Sequence, residues 1–340
     1  MSLLSFTNRG IYCEAGNFYI DPWRPVDRAV ITHAHSDHSR WGMKHYLAHN
    51  DSLPIMRQRL GQDISVEGIE FGKSIQINGV NVSFHPAGHI IGSAQIRVEH
   101  KGEIWVASGD YKIEDDGISP AFEPVPCHAF ITESTFGLPV YRWKPQAVVM
   151  EEINHWWAEN AANDKASVLI AYALGKAQRI ICNVDGSIGP IYTHGAVENV
   201  NELLRATGQK IPETIRVAGG MKKKEFRKAL IIAPSSAMGS PWLRKFQPFS
   251  LAMASGWMNV RGARRRRAAD RGFILSDHAD WYGLNEAIEA TGATRVHVTH
   301  GYSTLYARWL KSKGIDAYVE ETQYENEGGE GDTPEDSTNT

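Results

Sequence analysis

The hydrophobic pattern divides the chain into alternating runs, continuous apolar runs and longer runs with helical spacing. Short β-type runs with turns occupy residues 6–31, and residues 64–84 alternate around Asn78-Gly79, a strong hairpin signal. Continuous apolar runs predict buried strands at 104–107, 129–132, 168–171, 229–234, 272–275 and 296–299. Helices are predicted over 39–48, 145–162, 197–206, 284–291 and from Ser303 to the residue before Gly314.

Strands and helices alternate in the middle of the chain, whereas the flanking parts are richer in strands. This order predicts an α/β protein in which residues 141–272 form a small α/β domain. At 340 residues the chain is long enough for two domains. Residues 325–340 are acidic and almost free of apolar side chains, so we expect a disordered acidic tail.

The composition, with 42% hydrophobic and 22% charged residues, is typical of a globular protein in water. No apolar run approaches the ~20 residues that span a bilayer, which predicts no membrane partner. The amino terminus lacks the basic and apolar regions of a signal peptide. Three cysteines, odd in number and far apart, do not form a disulfide framework. We therefore expect the protein to be cytoplasmic.

Charge is distributed unevenly along the chain. Residues 141–272 hold 21 of the 36 Lys and Arg residues but only 10 of the 39 Asp and Glu residues. A basic block in an acidic frame is typical of a segment that faces a polyanion. Five arginines lie between Arg261 and Arg267, a compact feature that suits anion binding. A solvated loop or a targeting signal is the alternative interpretation of that run.

The strongest chemical signal is the segment Thr32–His38, which follows the apolar run 29–31. It contains the pattern His-x-His-x-Asp-His, formed by His33, His35, Asp37 and His38. Imidazole nitrogens and carboxylate oxygens are ligands for Zn²⁺ and similar ions. One ion cannot easily take all four groups, so the spacing favours two metals side by side.

Further candidates follow predicted strands. His89 lies in an apolar run between Gly88 and Gly92; a satisfied core histidine is the ordinary reading, but the glycines allow close approach and favour a ligand. Asp110 and Glu133 follow buried strands, and this repetition is hard to explain by packing alone.

Two more histidines complete the set. His278 also follows a buried strand, and His300 stands at the end of the last apolar run, whereas His297 is assigned to the sheet. Asp21 has two interpretations of equal weight: a plain turn residue, or a carboxylate that orients a neighbouring metal ligand through a hydrogen bond.

Taken together, these motifs resemble the metallo-β-lactamase fold in its nucleic-acid-processing branch, called β-CASP. The resemblance covers nearly all of residues 5–320. It implies an αββα sandwich built from residues 1–140 and 273–320, with 141–272 as an inserted α/β β-CASP domain. The matching positions are the histidine motif, Gly88-His89, Gly109-Asp110, Asp21, Glu133 in Glu-Ser-Thr, His278 in Ser-Asp-His-Ala-Asp, and His300 in Thr-His-Gly.

By this resemblance, His33, His35 and His89 hold one metal, Asp37, His38 and His300 hold the second, and Asp110 bridges them. The ions would be zinc, with manganese as an alternative, and hydroxide attack on phosphorus would cleave a phosphodiester bond. Glu133 would orient His278, which contacts the phosphate or protonates the leaving oxygen. Nucleic acid would be contacted by Lys176, Gln178, Arg264, Arg265, Arg266 and Arg267.

The arginine run and the short length resemble the bacterial ligase-associated DNA exonucleases in particular. This implies DNA as substrate, with an ATP-dependent DNA ligase and a helicase as partners in repair. An RNA-processing nuclease of the same branch is the first alternative, since the metal ligands do not read sugar identity. A small-molecule thioester or lactone hydrolase and a non-catalytic nucleic-acid-binding scaffold are the others. The former needs no basic insert, and the latter would be expected to lack ligands.

Overall fold

The computed structural model describes residues 2–260 and 269–324. Contacts group these residues into two units. The first unit joins the segment that ends at Arg142 to the segment that begins at Asp277, and the second is the intervening stretch Trp143–Ser276. No helix in the described ranges is long and apolar enough to cross a membrane.

Strands and helices are numbered along the described chain. The strands are β1 Ser5–Phe6, β2 Ile11–Cys13, β3 Phe18–Ile20, β4 Arg28–Val30, β5 His45–His49, β6 Val66–Ile69, β7 Ser74–Ile77, β8 Val80–Pro86, β9 Ala94–His100, β10 Glu103–Ala107, β11 Ala129–Ser134, β12 Ala166–Ile170, β13 Ile191–Thr193, β14 Ile215–Arg216, β15 Leu230–Ala233, β16 Phe249–Ala254, β17 Arg271–Phe273, β18 Arg295–Gly301 and β19 Asp316–Val319. The α-helices are α1 Leu53–Leu60, α2 Gln146–Ala162, α3 Lys176–Asn183, α4 Gly195–Ala206, α5 Trp281–Thr291 and α6 Ser303–Ser312.

Two sheets form the centre of the first unit. One has the order β1-β2-β3-β4-β5-β6, and the other has the order β19-β18-β11-β10-β9-β8-β7. Side chains from both sheets share one hydrophobic core, with Phe18 and Val30 from the first sheet and Phe84, Val98 and Trp105 from the second. Burying these side chains contributes roughly 1.5–3 kcal/mol each to folding.

Helices cover the outer faces of these two sheets. Leu284 of α5 and Tyr306 of α6 pack with Val106, Phe130 and Val296 of the seven-stranded sheet. Helix α1 packs beside β6 of the other sheet. The resulting order of layers is helix, sheet, sheet, helix, which confirms the predicted αββα sandwich.

The second unit is a separate α/β assembly. Its six strands have the order β14-β13-β15-β12-β16-β17, and every pairing between them is parallel. Helix α2 precedes β12, α3 connects β12 to β13, and α4 connects β13 to β14. The central strands β12 and β15 are buried along their whole length, as is typical of a parallel sheet. This is the α/β architecture predicted for the inserted segment.

One predicted element is wrong. Of the helix predicted over 39–48, residues 39–44 are neither helix nor strand and the remainder lies in β5, while helix α1 begins only at Leu53. Strand β5 lies between β4 and β6 in parallel pairings, so Tyr46, Leu47 and Ala48 are buried in succession and show no alternation. A short apolar run of this kind is ambiguous between helix and buried strand.

Candidate metal centre

The candidate ligands follow the ends of strands in the first unit. Strands β3 and β4 are parallel, so Asp21 and the His33–His38 segment leave the same edge of their sheet. In the other sheet, β10, β11 and β18 are parallel, and β8 runs in the same direction because two antiparallel pairings separate it from β10. Their carboxyl ends deliver His89, Asp110 and Glu133 to one edge.

Three groups of ligand-type side chains meet there. In each group the ligand atoms lie within 4.8 Å of one another. The groups are His33, His35, His89 and Asp110; Asp37, His38 and Asp110; and Asp110, Glu133 and His278. Asp110 belongs to all three groups. A carboxylate that bridges two metal ions would have to occupy such a shared position.

Asp21 orients two of the histidines. Its Oδ2 accepts a hydrogen bond from His38 Nδ1 at 2.7 Å and another from the Thr32 hydroxyl at 2.5 Å. Because the Thr32 hydroxyl donates to Asp21, its oxygen accepts from His33 Nδ1 at 3.0 Å. Both imidazoles therefore present Nε2 to the centre. Asp21 is also a turn residue with φ of 43°. Its role beside a metal ligand stays a prediction, since His38 is a candidate ligand.

His89 is oriented by the backbone. Its Nδ1 donates to the carbonyl oxygen of Asp277 at 2.7 Å, since a carbonyl can only accept. Its Nε2 lies 3.1 Å from His35 Nδ1 and 3.9 Å from Asp110 Oδ2. His33 Nε2 lies 3.5 Å from the same Asp110 oxygen. Four ligand atoms therefore surround one small space.

A second set shares Asp110 with the first and is called the second side of the centre. His38 Nε2 lies 3.4 Å from Asp37 Oδ2 and 3.5 Å from Asp110 Oδ2. His300 Nε2 lies 3.2 Å from Asp110 Oδ1, the other oxygen of the carboxylate, and its ring centroid lies 6.1 Å from that of His38. We group His300 with the second side on this proximity.

Buried polar atoms at the centre lack hydrogen-bond partners. Among the described side chains, His33 Nε2 and His38 Nε2 are in this state, whereas Asp110 Oδ1 has the contact with His300. An unsatisfied buried polar group costs about 1–3 kcal/mol, so two such atoms facing one carboxylate require an explanation. Coordination of divalent ions would satisfy both, and the residues present fit two such ions.

The pKa values at the centre reflect a concentration of negative charge. Burial lowers the pKa of His38, but the carboxylates of Asp37, Asp110 and Asp21 outweigh burial and raise it to about 10. Burial would raise the pKa of Asp110, whereas His38, His278 and His300 hold it well below its ordinary range.

The other two histidines have the opposite tendency. Burial and the neighbouring His38 lower the pKa of His33 well below its ordinary value. Burial and the nearby His278 do the same for the pKa of His89. Both imidazoles are therefore neutral at pH 7, which is the form that binds a metal.

Glu133 and His278 form a buried pair beside the ligands. His278 Nδ1 lies 2.8 Å from Glu133 Oε2 and 3.0 Å from Oε1. The backbone N–H of Tyr111 and the hydroxyl of Thr135 donate to the same carboxylate. The ring centroids of His278 and His89 are 4.6 Å apart. Glu133 therefore fixes the orientation of an imidazole next to a candidate ligand.

Three residues at the centre were not expected from the sequence. Thr32 links Asp21 to His33, Tyr324 stacks on His38, and the Lys112 ammonium donates to the carbonyl of Gly88 at 2.6 Å. Only Thr32 lies in a recognisable motif. Lys112 follows Asp110 by two residues, a spacing that could have suggested proximity but not contact.

The residues predicted to contact nucleic acid fall into two groups, of which the structure describes one. Lys176 and Gln178 lie in α3 and are buried. The Gln178 amide accepts from the Gly175 N–H and donates to the Ala173 carbonyl and the Asn201 side chain. In this arrangement the Gln178 amide orders its own turn, because these neighbours occupy its donor and acceptor atoms. Residues Arg264, Arg265, Arg266 and Arg267, like the tail 325–340, lie outside the described residues.

Curated relatives of the chain act on nucleic acids according to their names. A "Probable DNA ligase" of Opitutus terrae is 30% identical over 320 residues, covering 92% of this chain and 30% of that protein. An "RNase J-like protein" of Methanocaldococcus jannaschii is 25% identical over 207 residues, covering 51% and 48%. "Endoribonuclease YSH1" of Saccharomyces cerevisiae is 26% identical over 122 residues, covering 35% and 15%. The chain thus spans less than half the length of each.

Structural comparison gives the fold alone. A crystal structure of a protein of unknown function from Enterococcus faecalis aligns with a TM-score of 0.58 and 11% identity, covering 88% of this chain and 79% of that one. The chain matches no protein-family model.

The first unit has the layers and the clustered histidines and aspartates of a metallo-β-lactamase fold. Together with these relatives, they show that the chain belongs to the β-CASP branch of the metallo-β-lactamase family.

Proposed function

We propose that the chain is a metal-dependent phosphodiesterase that removes nucleotides from DNA ends, as an exonuclease in DNA repair. The observation that carries this proposal is Asp110, whose carboxylate is common to three groups of ligand-type atoms. Two divalent ions would be held there, zinc in the first place and manganese as the alternative. When bound, such ions acidify a water molecule and neutralise charge that develops on phosphoryl oxygens.

The two proposed ligand sets share Asp110. One ion would be held by His33, His35, His89 and Asp110. The other would be held by Asp37, His38, His300 and Asp110. Asp21 would keep His33 and His38 in the tautomers that present Nε2, directly for His38 and through the Thr32 hydroxyl for His33.

The remaining groups would handle the substrate. With Nδ1 held by Glu133, protonated His278 would donate a proton to the oxygen that leaves phosphorus. Asp37 is only partly buried, with 18% of its side chain exposed, so substrate can approach the centre from its side. The arginine run 264–267 would contact phosphates, and this binding would weaken with salt. Lys176 is buried in α3, so its proposed phosphate contact would require its side chain to move.

DNA is favoured as the substrate by the relative that covers most of this chain. A protein named a DNA ligase contains a segment similar to 92% of the chain. This also supports an ATP-dependent DNA ligase as a partner, with a helicase proposed beside it from the sequence resemblance. Cytoplasmic residence is proposed from the three widely spaced cysteines, whose odd number does not suit a disulfide framework.

The alternative function is RNA processing by an endo- or exoribonuclease. It is supported by the relatives named RNase J-like protein and endoribonuclease. The two functions share the metal chemistry and differ in whether a side chain contacts the 2′-hydroxyl group of the substrate.

A direct comparison of substrates tests the proposal. Purified protein with Zn²⁺ or Mn²⁺ is incubated with single-stranded DNA and RNA of one sequence, labelled at either end. We expect DNA to shorten progressively from one end while RNA is spared, and the labelled end gives the polarity. Preferred RNA cleavage would replace DNA by RNA as the substrate. Cleavage of neither nucleic acid would refute the nuclease.

A further inference from the structure

A short segment after the last strand returns to the metal centre. Residues 320–324, here called the strap, follow β19. At its start, the Glu320 N–H donates to the Val298 carbonyl at 2.9 Å, and the Glu320 carboxylate pairs with His297 Nδ1 at 2.7 Å. Near its end, the Arg40 guanidinium donates to the Gln323 carbonyl. The strap is thus held at both ends.

Arg40 connects the strap to the ligand segment. Its Nε donates to the carbonyl of Asp37 at 3.1 Å, and its other end reaches Gln323. One guanidinium therefore ties the backbone that carries Asp37 to the backbone that carries Tyr324. A change in the position of the strap would be transmitted to a candidate ligand.

Tyr324 contacts the second side of the centre directly. Its ring lies parallel to His38, with centroids 4.3 Å apart and an interplanar angle of 12°. The centroid of the Tyr324 ring lies 5.8 Å from that of His300 and 5.5 Å from that of Trp23, both in edge-to-face arrangements. Only 8% of its surface is exposed, so the ring excludes water from one face of His38.

The Tyr324 hydroxyl reaches the same ligand by another route. It donates to the carbonyl of Asp21 at 3.2 Å. The Asp21 carboxylate holds His38 Nδ1, and its backbone has a positive φ, an uncommon conformation for a residue other than glycine. If the ring served only for packing, phenylalanine would suffice at this position. The hydrogen bond to Asp21 requires the hydroxyl group of tyrosine.

We propose that Tyr324 is a positioning residue for the metal-binding side formed by Asp37, His38 and His300, and that the strap closes this side. The ring fixes the plane of His38, and the hydroxyl steadies Asp21, which fixes its tautomer. Residues that contact a metal ligand in this manner change metal affinity by roughly 10–100-fold when they are altered. The inference rests on the metal centre of the proposed function but not on which nucleic acid is cleaved.

Metal titration tests the inference without any measurement of cleavage. Isothermal titration with Mn²⁺ is carried out on the chelator-treated wild type, Tyr324→Ala, Tyr324→Phe and the control Tyr282→Ala, which truncates an exposed tyrosine of the same unit. We expect Tyr324→Ala to weaken one of two binding steps by about 10–100-fold. Tyr324→Phe keeps the stacked ring and should weaken the step by about 2–10-fold, the value of one hydrogen bond.

Double variants identify the side that is affected. In an Asp37→Ala background, which removes a ligand of the second side, Tyr324→Ala should have little further effect on the remaining step. In a His35→Ala background its effect should persist in full. Equal effects in both backgrounds, or wild-type affinity in Tyr324→Ala and Tyr324→Phe, would overturn the proposal. The nuclease proposal would be unaffected by either result, because it is judged from the products of cleavage.

Discussion

At the scale of the residue, Asp110 concentrates the chemistry of the molecule. Its Oδ2 lies 3.5–3.9 Å from the Nε2 atoms of His33, His38 and His89, and its Oδ1 lies 3.2 Å from His300 Nε2. A carboxylate among so many imidazoles stays ionised, as its strongly lowered pKa indicates. Replacing Asp110 would remove a ligand from both proposed metal positions at once. Replacing a ligand such as Asp37 would affect only one of them.

A terminal ligand gives the clearer test. We expect Asp37→Ala to reduce nucleic-acid cleavage by about 10³-fold or more, on the order of the cost of losing electrostatic stabilisation of developing charge. Nucleic-acid affinity should be largely retained, because phosphate contacts elsewhere provide most of it. Steady-state cleavage and gel-shift binding measure the two effects, with exposed Asp63→Ala as the control. Retained cleavage by Asp37→Ala would disprove its role as a ligand.

Glu133→Gln tests the proton donor. The amide preserves the size of the side chain but removes the charge that holds His278 Nδ1 at 2.8 Å. We expect kcat to fall by about 10²–10⁴-fold with little change in KM, because proton transfer and not binding is impaired. Glu289→Gln on the exposed face of α5 is the matched control. A rise in KM with unchanged kcat would assign the pair to substrate binding.

The clustering of the candidate ligands was predictable from the sequence because these residues are close together or directly follow buried strands. The histidine pattern lies within seven positions, and Asp110 follows an apolar run. Tyr324 has no such signal: it stands in a polar stretch, and its meeting with His38 depends on the return of the chain after β19. Such long-range contacts cannot be inferred from local spacing.

At the scale of the element, the loop after β8 shows how the backbone beside the candidate ligand His89 is held in place. Gly88 has φ of 74°, and a Cβ atom there would lie 2.2 Å from the Lys112 carbonyl oxygen. The Lys112 ammonium donates to the Gly88 carbonyl and pairs with Asp116 at 2.8 Å, and both side chains are 2% exposed. A buried ion pair thus fixes the backbone next to His89.

Breaking this pair should destabilise the first unit. We expect Lys112→Met to lower the free energy of unfolding by about 3–5 kcal/mol, because Asp116 would remain buried without its partner. Urea denaturation measures the change, and Lys311→Met on the surface of α6 should alter it by no more than about 0.5 kcal/mol. Equal stability of the two variants would show that the pair contributes nothing net.

The same pair predicts a dependence on pH. Burial would raise the pKa of Asp116, but Lys112 and the backbone N–H groups of Ser119 and Ile118 lower it overall. Stability from a lowered carboxyl pKa is present above the unfolded value, near 3.9, and is lost as the pH falls through the folded value. The difference in unfolding free energy between metal-free wild type and Asp116→Asn should therefore shrink as the pH is lowered from about 5. A difference that is constant with pH would contradict this assignment.

Most elements were predictable, and the failure at 39–48 has a physical cause. Helix α2 spans Gln146–Ala162 and α5 ends at Gly292 in the left-handed conformation, as the sequence pattern indicated. Strand β5 lies between two parallel neighbours, so burial on both faces removes the alternation that identifies a strand. Pairing with distant strands decided its conformation.

At the scale of the whole molecule, charge and chemistry belong to different stretches of sequence. The candidate ligands all lie in the first unit. The excess of Lys and Arg lies in residues 141–272, which follow and precede parts of that unit along the chain. We infer a division of labour in which the inserted stretch supplies phosphate contacts and the first unit supplies metal ligands.

Replacing Arg264, Arg265, Arg266 and Arg267 by serine tests this division. We expect weaker nucleic-acid binding and a shallower slope of log affinity against log salt, by about 0.7–0.9 for each phosphate that is no longer neutralised. Metal content should not change. Fluorescence anisotropy across a range of salt concentrations measures the slope, and an unchanged slope would assign the arginines to another role.

The positions of the proposed ligands along the chain determine the order in which they are synthesised. A ribosome that has reached residue 270 has already synthesised every proposed ligand except His300, and neither His278 nor Tyr324 yet exists. The nascent chain at that stage has one side of the centre complete and the other lacking a ligand and its covering ring. The stretch translated after residue 270 supplies the groups that complete the centre, so under the proposed function a chain released before that stretch would be inactive as a nuclease.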